Sequence, residues 1–245
     1  VIVIFIPAME GFTKTFKRDQ LRYPRVRQAY KDKGNWLKDK LDQKGIPNLQ
    51  VNIFIRAFKK ERVLEVWIRE KNGSTFIHFH DYSFCAFSGV LGPKRQQGDL
   101  QVPEGFYYID RFNPSSNFLL SLGINYPNSS DRIKTAATDP GGDIFIHGNC
   151  VTIGCIPLTD DKIKELYILA VEARNCGQKR IPVHIFPARL NQEGLQKLIL
   201  AYTGDQDLIF FWQNLKKGYD FFERYKKLFK YTVNSKGDYV ISERK

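Results

Sequence analysis

Cysteine and histidine occur four times each, and methionine once, in 245 residues. Cys85, Cys150, Cys155 and Cys176 form no C-x-x-C pair and are too few for a dense disulfide framework. Their number therefore leaves the redox compartment open. No run approaches the ~20 apolar residues of a membrane span. "VIVIFIPA" at residues 1–8 is too short to cross a bilayer. It reads either as the tail of a signal h-region, which implies export, or as a buried edge strand. An RNP signature, a zinc finger and a repeated basic–aromatic motif are all missing, so nucleic acid is not an expected partner. Internal repeats and low-complexity linkers are absent too.

What is present is a globular composition, 42% hydrophobic and 14% aromatic. The formal net charge is +12 and it is unevenly placed. Residues 1–50 carry net +6, residues 51–215 net +1 and residues 216–245 net +5. Basic flanks attract polyanions such as anionic lipid or wall polymer, although lysines kept for solubility account for much of such a surplus.

"YPRVRQAYKDKGNWLKDKLDQKG" reads as helical, with Pro24 near its start, Gly45 past its end and Gly34 dividing it into two helices. From residue 49 the pattern changes. "LQVNIFIRAF", "RVLEVWIRE" and "STFIHFHDYSFCAF" are rich in β-branched and aromatic residues and predict strands. Asn72-Gly73 predicts a hairpin turn. "GFYYIDRF", "GDIFIHG" and "RIPVHIFPA" predict further strands. Residues 113–142, rich in Asn, Ser, Pro and Gly, predict a long loop of the kind that often carries function. "TDDKIKELYILAVEARNCGQ", "NQEGLQKLILAY" and "DQDLIFFWQNLKKGYDFFERYKKLFKY" predict helices, and "YTVNSKGDYVIS" a closing hairpin. Helical flanks around a β-rich middle make the fold class α+β.

The chemistry concentrates in "DIFIHGNCVTIGCIPLTDD", residues 143–161. Three arrangements compete. Zinc would use His147, Cys150 and Cys155, with His184 as a fourth ligand, but the spacing matches no familiar knuckle. A disulfide would join Cys150 to Cys155. Alternatively Cys155 is a nucleophile with His147 as its base. The amides of Gly154 and Cys155 would then face a developing oxyanion, and a carbonyl near Gly148 would orient the imidazole. Against all three stands the plain reading of buried cysteines as small hydrophobes, which suits Cys85 and Cys176 best.

"IHGNCVTIGCIPLTD" resembles the catalytic motif of the L,D-transpeptidase (YkuD-type) family, in which an HG pair precedes a segment ending in GC. "GPKRQQGDLQVPEGFYYID", residues 92–110, is similar to the family's second mark. "SLGINYPNSSDR", "IPVHIFPARL" and "FFWQNLKKGYDFFE" resemble its YafK-like branch. Together these segments lie within roughly residues 50–225. The resemblance implies a β-rich catalytic core with helical N- and C-terminal flanks. It sets out a basic helical segment at residues 1–48, a catalytic core at 49–190, and a helical extension with closing hairpin at 191–245. It implies that Cys155 is the nucleophile forming a thioacyl enzyme, His147 the base, the Gly148 carbonyl its orienter and Gly154 N–H an oxyanion donor.

The implied substrate is the meso-diaminopimelate-containing stem peptide of peptidoglycan, in the periplasm or cell envelope, with no cofactor or metal. An amine acceptor gives a transpeptidase. Water gives an L,D-carboxypeptidase or a hydrolase of protein–peptidoglycan links, with a wall-linked lipoprotein as partner. A non-catalytic wall-binding module is the alternative of another class. Basic flanks would add peripheral envelope association. Many relatives carry S-H-G-C, whereas here Thr152 and Ile153 precede Gly154. Tyr126, Arg132, Lys94 and Thr152 are the expected substrate contacts. His184 reads as a satisfied core histidine. His78 and His80 read as sharing one strand face.

Overall fold

The computed structural model describes residues 15–47 and 49–242. The apolar run at residues 1–8, and with it both of its readings, lies outside the described residues. A short helix α1 (Phe16–Gln20) is capped by Thr15, and α2 (Pro24–Gln43) follows with proline at its first turn. The expected split at Gly34 does not occur, and α2 runs through it. A glycine inside a helix costs only about 1 kcal/mol relative to alanine, and buried Val26, Ala29, Leu37 and Leu41 outweigh that.

Eight strands form one sheet: β1 (Val51–Phe58), β2 (Val63–Glu70), β3 (Ile77–Ser83), β4 (Gly105–Asn113), β5 (Ser121–Ile124), β6 (Phe145–His147), β7 (Ile156–Pro157) and β8 (Ile181–Phe186). Their order is β3-β2-β1-β8-β4-β5-β6-β7. The β1–β8 and β6–β7 pairs are parallel and the others antiparallel. The polar stretch expected to be one long loop contains β5 and a helix, α3 (Ser129–Lys134), closed by a capping box between Asn128 and Asp131. A bulge between Val66 and Trp67 pairs His80 with Val66 and His78 with Trp67. The two histidines therefore fall on opposite faces. His78 meets Trp67, and His80 meets Trp36 of α2.

Both faces of the sheet are covered. On one lies α4 (Asp160–Asn175), buried almost all round because α1 and α2 pack over its far side. Tyr30 donates to Glu172 at 2.8 Å, Tyr167 donates to Gln20 at 2.7 Å, and Lys33 pairs with Glu165 at 3.0 Å, fastening the three helices. On the other face lie α5 (Gln192–Ala201), α6 (Gln206–Tyr225) and the hairpin of β9 (Lys230–Val233) and β10 (Tyr239–Ser242). The sequence pattern predicts that the final helix reaches residue 231, but it ends at Tyr225. Lys226 turns left-handed there and frees the chain for β9. Gly218 lets α6 approach closely, since a Cβ there would sit 2.5 Å from Phe229 and 2.6 Å from Phe106.

Buried charge joins this outer layer to the sheet. Lys59 of β1 meets Glu104 at 3.0 Å and donates to the carbonyls of Gly92 and Val102. Glu104 also accepts from Trp212 of α6 at 2.7 Å. Both charges are fully buried. Removing one partner leaves the other uncompensated, so Lys59→Met should lower unfolding free energy by about 3–5 kcal/mol. Urea denaturation measures it, and adding Glu104→Gln to Lys59→Met should restore part of the loss.

Candidate active site

β6 ends at His147 and the chain turns at once. Gly148 is required there, because a Cβ would lie 2.8 Å from Asp160 Oδ1, 2.8 Å from the Phe118 carbonyl and 2.9 Å from Ile163. Its N–H donates to the carbonyls of Phe118 and Leu120. Asn149 takes a positive φ and donates its N–H to Asp160 at 2.9 Å, which ties the loop to the start of α4. Cys150 is disulfide-bonded to Cys85, with Cα atoms 5.3 Å apart. This overturns two expectations, the Cys150–Cys155 bridge and the reading of Cys85 as a plain hydrophobe. Residue 85 comes within reach because its N–H donates to the Pro157 carbonyl, bringing the end of β3 beside β7. The bridge also removes Cys150 from the zinc arrangement.

Strand register sets how His147 and Cys155 are placed. His147 pairs with Pro157 across the parallel β6–β7 ladder. Side chains alternate along a strand, so Cys155, two residues before Pro157, shares the face of His147. Both open into one cleft of about 500 Å3, walled also by Asn113, Phe118, Asp143, Phe145 and Thr152. His147 is 1% exposed and the Phe118 ring lies 4.6 Å from its imidazole. Its Nδ1–H donates to the Gly148 carbonyl at 2.5 Å, which leaves Nε2 as the free acceptor. The Cys155 thiol donates to the Asp143 carbonyl at 3.7 Å.

Burial pushes His147 below the ordinary imidazole pKa, and the Gly148 hydrogen bond offsets this only in part. Burial pushes the Cys155 thiol up; the Phe145 N–H and the Lys94 charge pull it back, and Asp143 adds to the rise. Both directions favour thiol plus neutral imidazole over an ion pair.

The remaining expected site residues divide. Thr152 lines the cleft, but its Oγ1 accepts from the N–H groups of Gly154 (3.2 Å) and Cys155 (2.9 Å) and donates to the Cys155 carbonyl (2.8 Å). The expected oxyanion donors are thus occupied by Thr152 in this state. Lys94 is buried, with its ammonium 2.6 Å from Asp99 and its reach spent inside the 92–104 loop. Tyr126 and Arg132 line a separate cavity, and the Tyr126 hydroxyl donates to the carbonyls of Pro140 and Lys94. His184 is in the core as expected, but its Nδ1 has no partner; burial, with the charge of Arg56 adding, pushes its pKa down to about 3. Phe118, Asp143 and Asp160 were not foreseen. The length of the 113–142 stretch was the one signal toward the first.

A family model for the L,D-transpeptidase catalytic domain (YkuD) matches residues 55–185. The chain is 36% identical over 193 residues to YafK of Escherichia coli (strain K12), spanning 78% of this chain and 74% of that protein. The name of that relative assigns it provisionally to the L,D-transpeptidases. The chain belongs to the YkuD family of L,D-transpeptidase catalytic domains, in its YafK-like branch. Its YafK relative from E. coli O157:H7 matches equally well. Among solved structures, it is similar to the helical cell shape determining protein Pgp2 of Campylobacter jejuni (20% identity, 75% of this chain and 73% of that one, TM-score 0.45). It is also similar to Bd1075 of Bdellovibrio bacteriovorus (25% identity, 56% and 48%, TM-score 0.40). Within the family motif, the GC cysteine is Cys155 and the HG histidine is His147.

The neutral resting pair has a measurable consequence. Alkylation of Cys155 by iodoacetamide, followed by mass spectrometry of its peptide to separate it from Cys176, should be slow at pH 7 and still accelerating above pH 9. A plateau reached below pH 8 would show instead that the thiolate is already formed.

Proposed function

We propose that this protein is a cysteine acyl-transfer enzyme acting on meso-diaminopimelate-containing peptidoglycan stem peptides. The observation that carries the reading is the shared cleft. His147, with Nδ1 held by the Gly148 carbonyl, and Cys155 open into one cavity from the same face of the sheet.

In this reading His147 Nε2 takes the thiol proton as Cys155 Sγ attacks the carbonyl of the bond to the terminal D-amino acid. The carbonyl oxygen becomes an oxyanion and displaces the Thr152 hydroxyl as acceptor for the Gly154 and Cys155 N–H groups. Collapse breaks the C–N bond, His147 returns the proton to the leaving amine, and a thioester remains. An amine from a second stem peptide then attacks, with His147 again as base, and regenerates the thiol. Water in place of that amine would release a tripeptide, and a lipoprotein-linked bond in place of the D-amino acid would release the lipoprotein.

The Cys85–Cys150 bridge supports a periplasmic or cell-envelope location, because such bonds persist where the environment is oxidising. No helix among the described residues is long and apolar enough to cross a membrane.

Cys155→Ala and His147→Ala should each reduce release or exchange of the terminal D-amino acid by at least about 10³-fold, with circular dichroism unchanged. Mass spectrometry of muropeptides incubated with the enzyme reads the acceptor directly. New cross-links mean transfer and tripeptides mean hydrolysis. Wild-type turnover in either variant would remove the mechanism.

A further inference from the structure

A second cavity on the same sheet measures about 490 Å3, nearly the size of the Cys–His cleft. Tyr108, Asp110, Asn125, Ser129, Arg132 and Tyr231 contribute to its walls. Among the described residues, these walls are rich in unengaged donors. The guanidinium of Arg132 is exposed and meets no carboxylate, carbonyl or ring. Asn125 accepts the Tyr108 N–H through Oδ1 at 2.7 Å, and its NH2 group is unengaged. The Arg180 guanidinium lies 4.7 Å from the centre of the Tyr108 ring and likewise carries no carboxylate.

One side chain joins this cavity to the catalytic cleft. Arg111 donates through Nε to Asp110 at 3.2 Å, in the wall of the second cavity. Its NH1 donates to Asp143 at 2.9 Å, in the wall of the cleft. Gly123 makes room for the crossing, since a Cβ there would lie 2.8 Å from Arg111 Nε and 2.9 Å from Asp110 Oδ1. Arg111 thus bridges one wall residue of each cavity. Arg111 pairs with Asp110 as well as with Asp143, which weakens the repulsion Asp110 would offer an anion.

We propose that this cavity binds a free carboxylate of the peptide substrate away from the reacting bond, with Arg132 as its anchor. This rests on the stem-peptide reading above. Apart from Asp110, with which Arg111 pairs, the unengaged groups are donors, and one is a permanent cation whose planar fork matches a carboxylate. A neutral sugar would leave that charge unanswered. Adjacency to the cleft favours a carboxylate of the same peptide over an unrelated anion.

The test uses the full chain carrying Cys155→Ala and a fluorescently labelled synthetic stem peptide in two forms, with free and with amidated carboxylates. Anisotropy should show the free form binding more tightly, and binding should weaken as salt rises. Adding Arg132→Ala should weaken the free form about tenfold or more and leave the amidated form unchanged, with Arg132→Lys intermediate. Among the described residues Arg132 makes no side-chain hydrogen bond or ion pair and is exposed, so its replacement is expected to leave the fold intact. Equal affinity of the Arg132→Ala and parent chains for the free form, or no preference for that form over the amidated one, would overturn the subsite. Turnover by the Cys155 enzyme is assayed separately on the same peptide. Activity with Arg132-insensitive binding sinks the subsite alone. Arg132-dependent binding without any turnover sinks the acyl-transfer reading and leaves the carboxylate site standing.

Discussion

The hydrogen bond from His147 Nδ1 to the carbonyl of the next residue governs what the loop between β6 and α4 can do in the proposed reaction. Without it the ring could present either nitrogen; with it, Nε2 alone is free to accept a proton. The bond exists because the chain turns sharply at Gly148, and the turn exists because Asp160, Phe118 and Ile163 close around a residue without a side chain. Two of those three belong to α4, whose position depends on the sheet below and on α1 and α2 above. The tautomer of one imidazole is therefore tied to helix packing on a whole face of the sheet. That dependence gives the N-terminal helices a consequence for chemistry although they contribute no side chain to the cleft.

Burial sets the charge state of the pair. An ion pair between Cys155 and His147 would place two charges in a half-closed cleft roofed by Phe118, and desolvation opposes both. The resting site is consequently neutral, with the thiol proton directed to the Asp143 carbonyl. In the proposed reaction the charge appears only as the sulfur attacks, and it moves at once to the substrate oxygen. Thr152 then acts as a placeholder. Its hydroxyl keeps two amide donors satisfied until a better acceptor arrives, so these N–H groups are aligned before the substrate binds. A neutral thiol also limits reaction with adventitious electrophiles.

Strands rich in β-branched and aromatic residues and the amphipathic α6 were legible because burial leaves a periodic trace, and the β2–β3 turn through the residue types at Asn72-Gly73. Cys155 and His147 were singled out by their motif rather than by spacing, and both line one cleft. What escaped reading depends on pairing instead of periodicity. β5 is four residues long and includes Gly123, so it has no pattern to detect; it is a strand because β4 and β6 flank it. α3 did leave a sign, Asn128 three residues before Asp131, within a stretch whose polarity suggested a loop. The bulge that separates His78 from His80 and the bridge across 65 residues between Cys85 and Cys150 are properties of the assembled sheet. Arg132 carried the right chemistry for a substrate contact, but topology sets it beside Tyr108 rather than beside Cys155.

The polar segment running from Gly92 to Gly105 shows how a motif can shape a cleft from outside it. Most of its length carries no regular secondary structure, so backbone ladders cannot hold its shape. Buried charge does so instead. Lys94 closes on Asp99, whose other oxygen accepts the N–H groups of Arg95 and Gln96, while Glu104 closes on Lys59 and takes the Gly92 N–H. Lys94, Lys59 and Glu104 are buried, and each is tolerated there only because its partner is present. The segment so fixed presents the Gln101 carbonyl to Gly154, where a Cβ would come within 2.9 Å of it. The residue before Cys155 must therefore be glycine, at a positive φ that other residues resist. The two marks of the family, far apart in the chain, are in this structure one object. The first is a rigid wall and the second is the loop pressed against it, and the position of the sulfur follows from their contact.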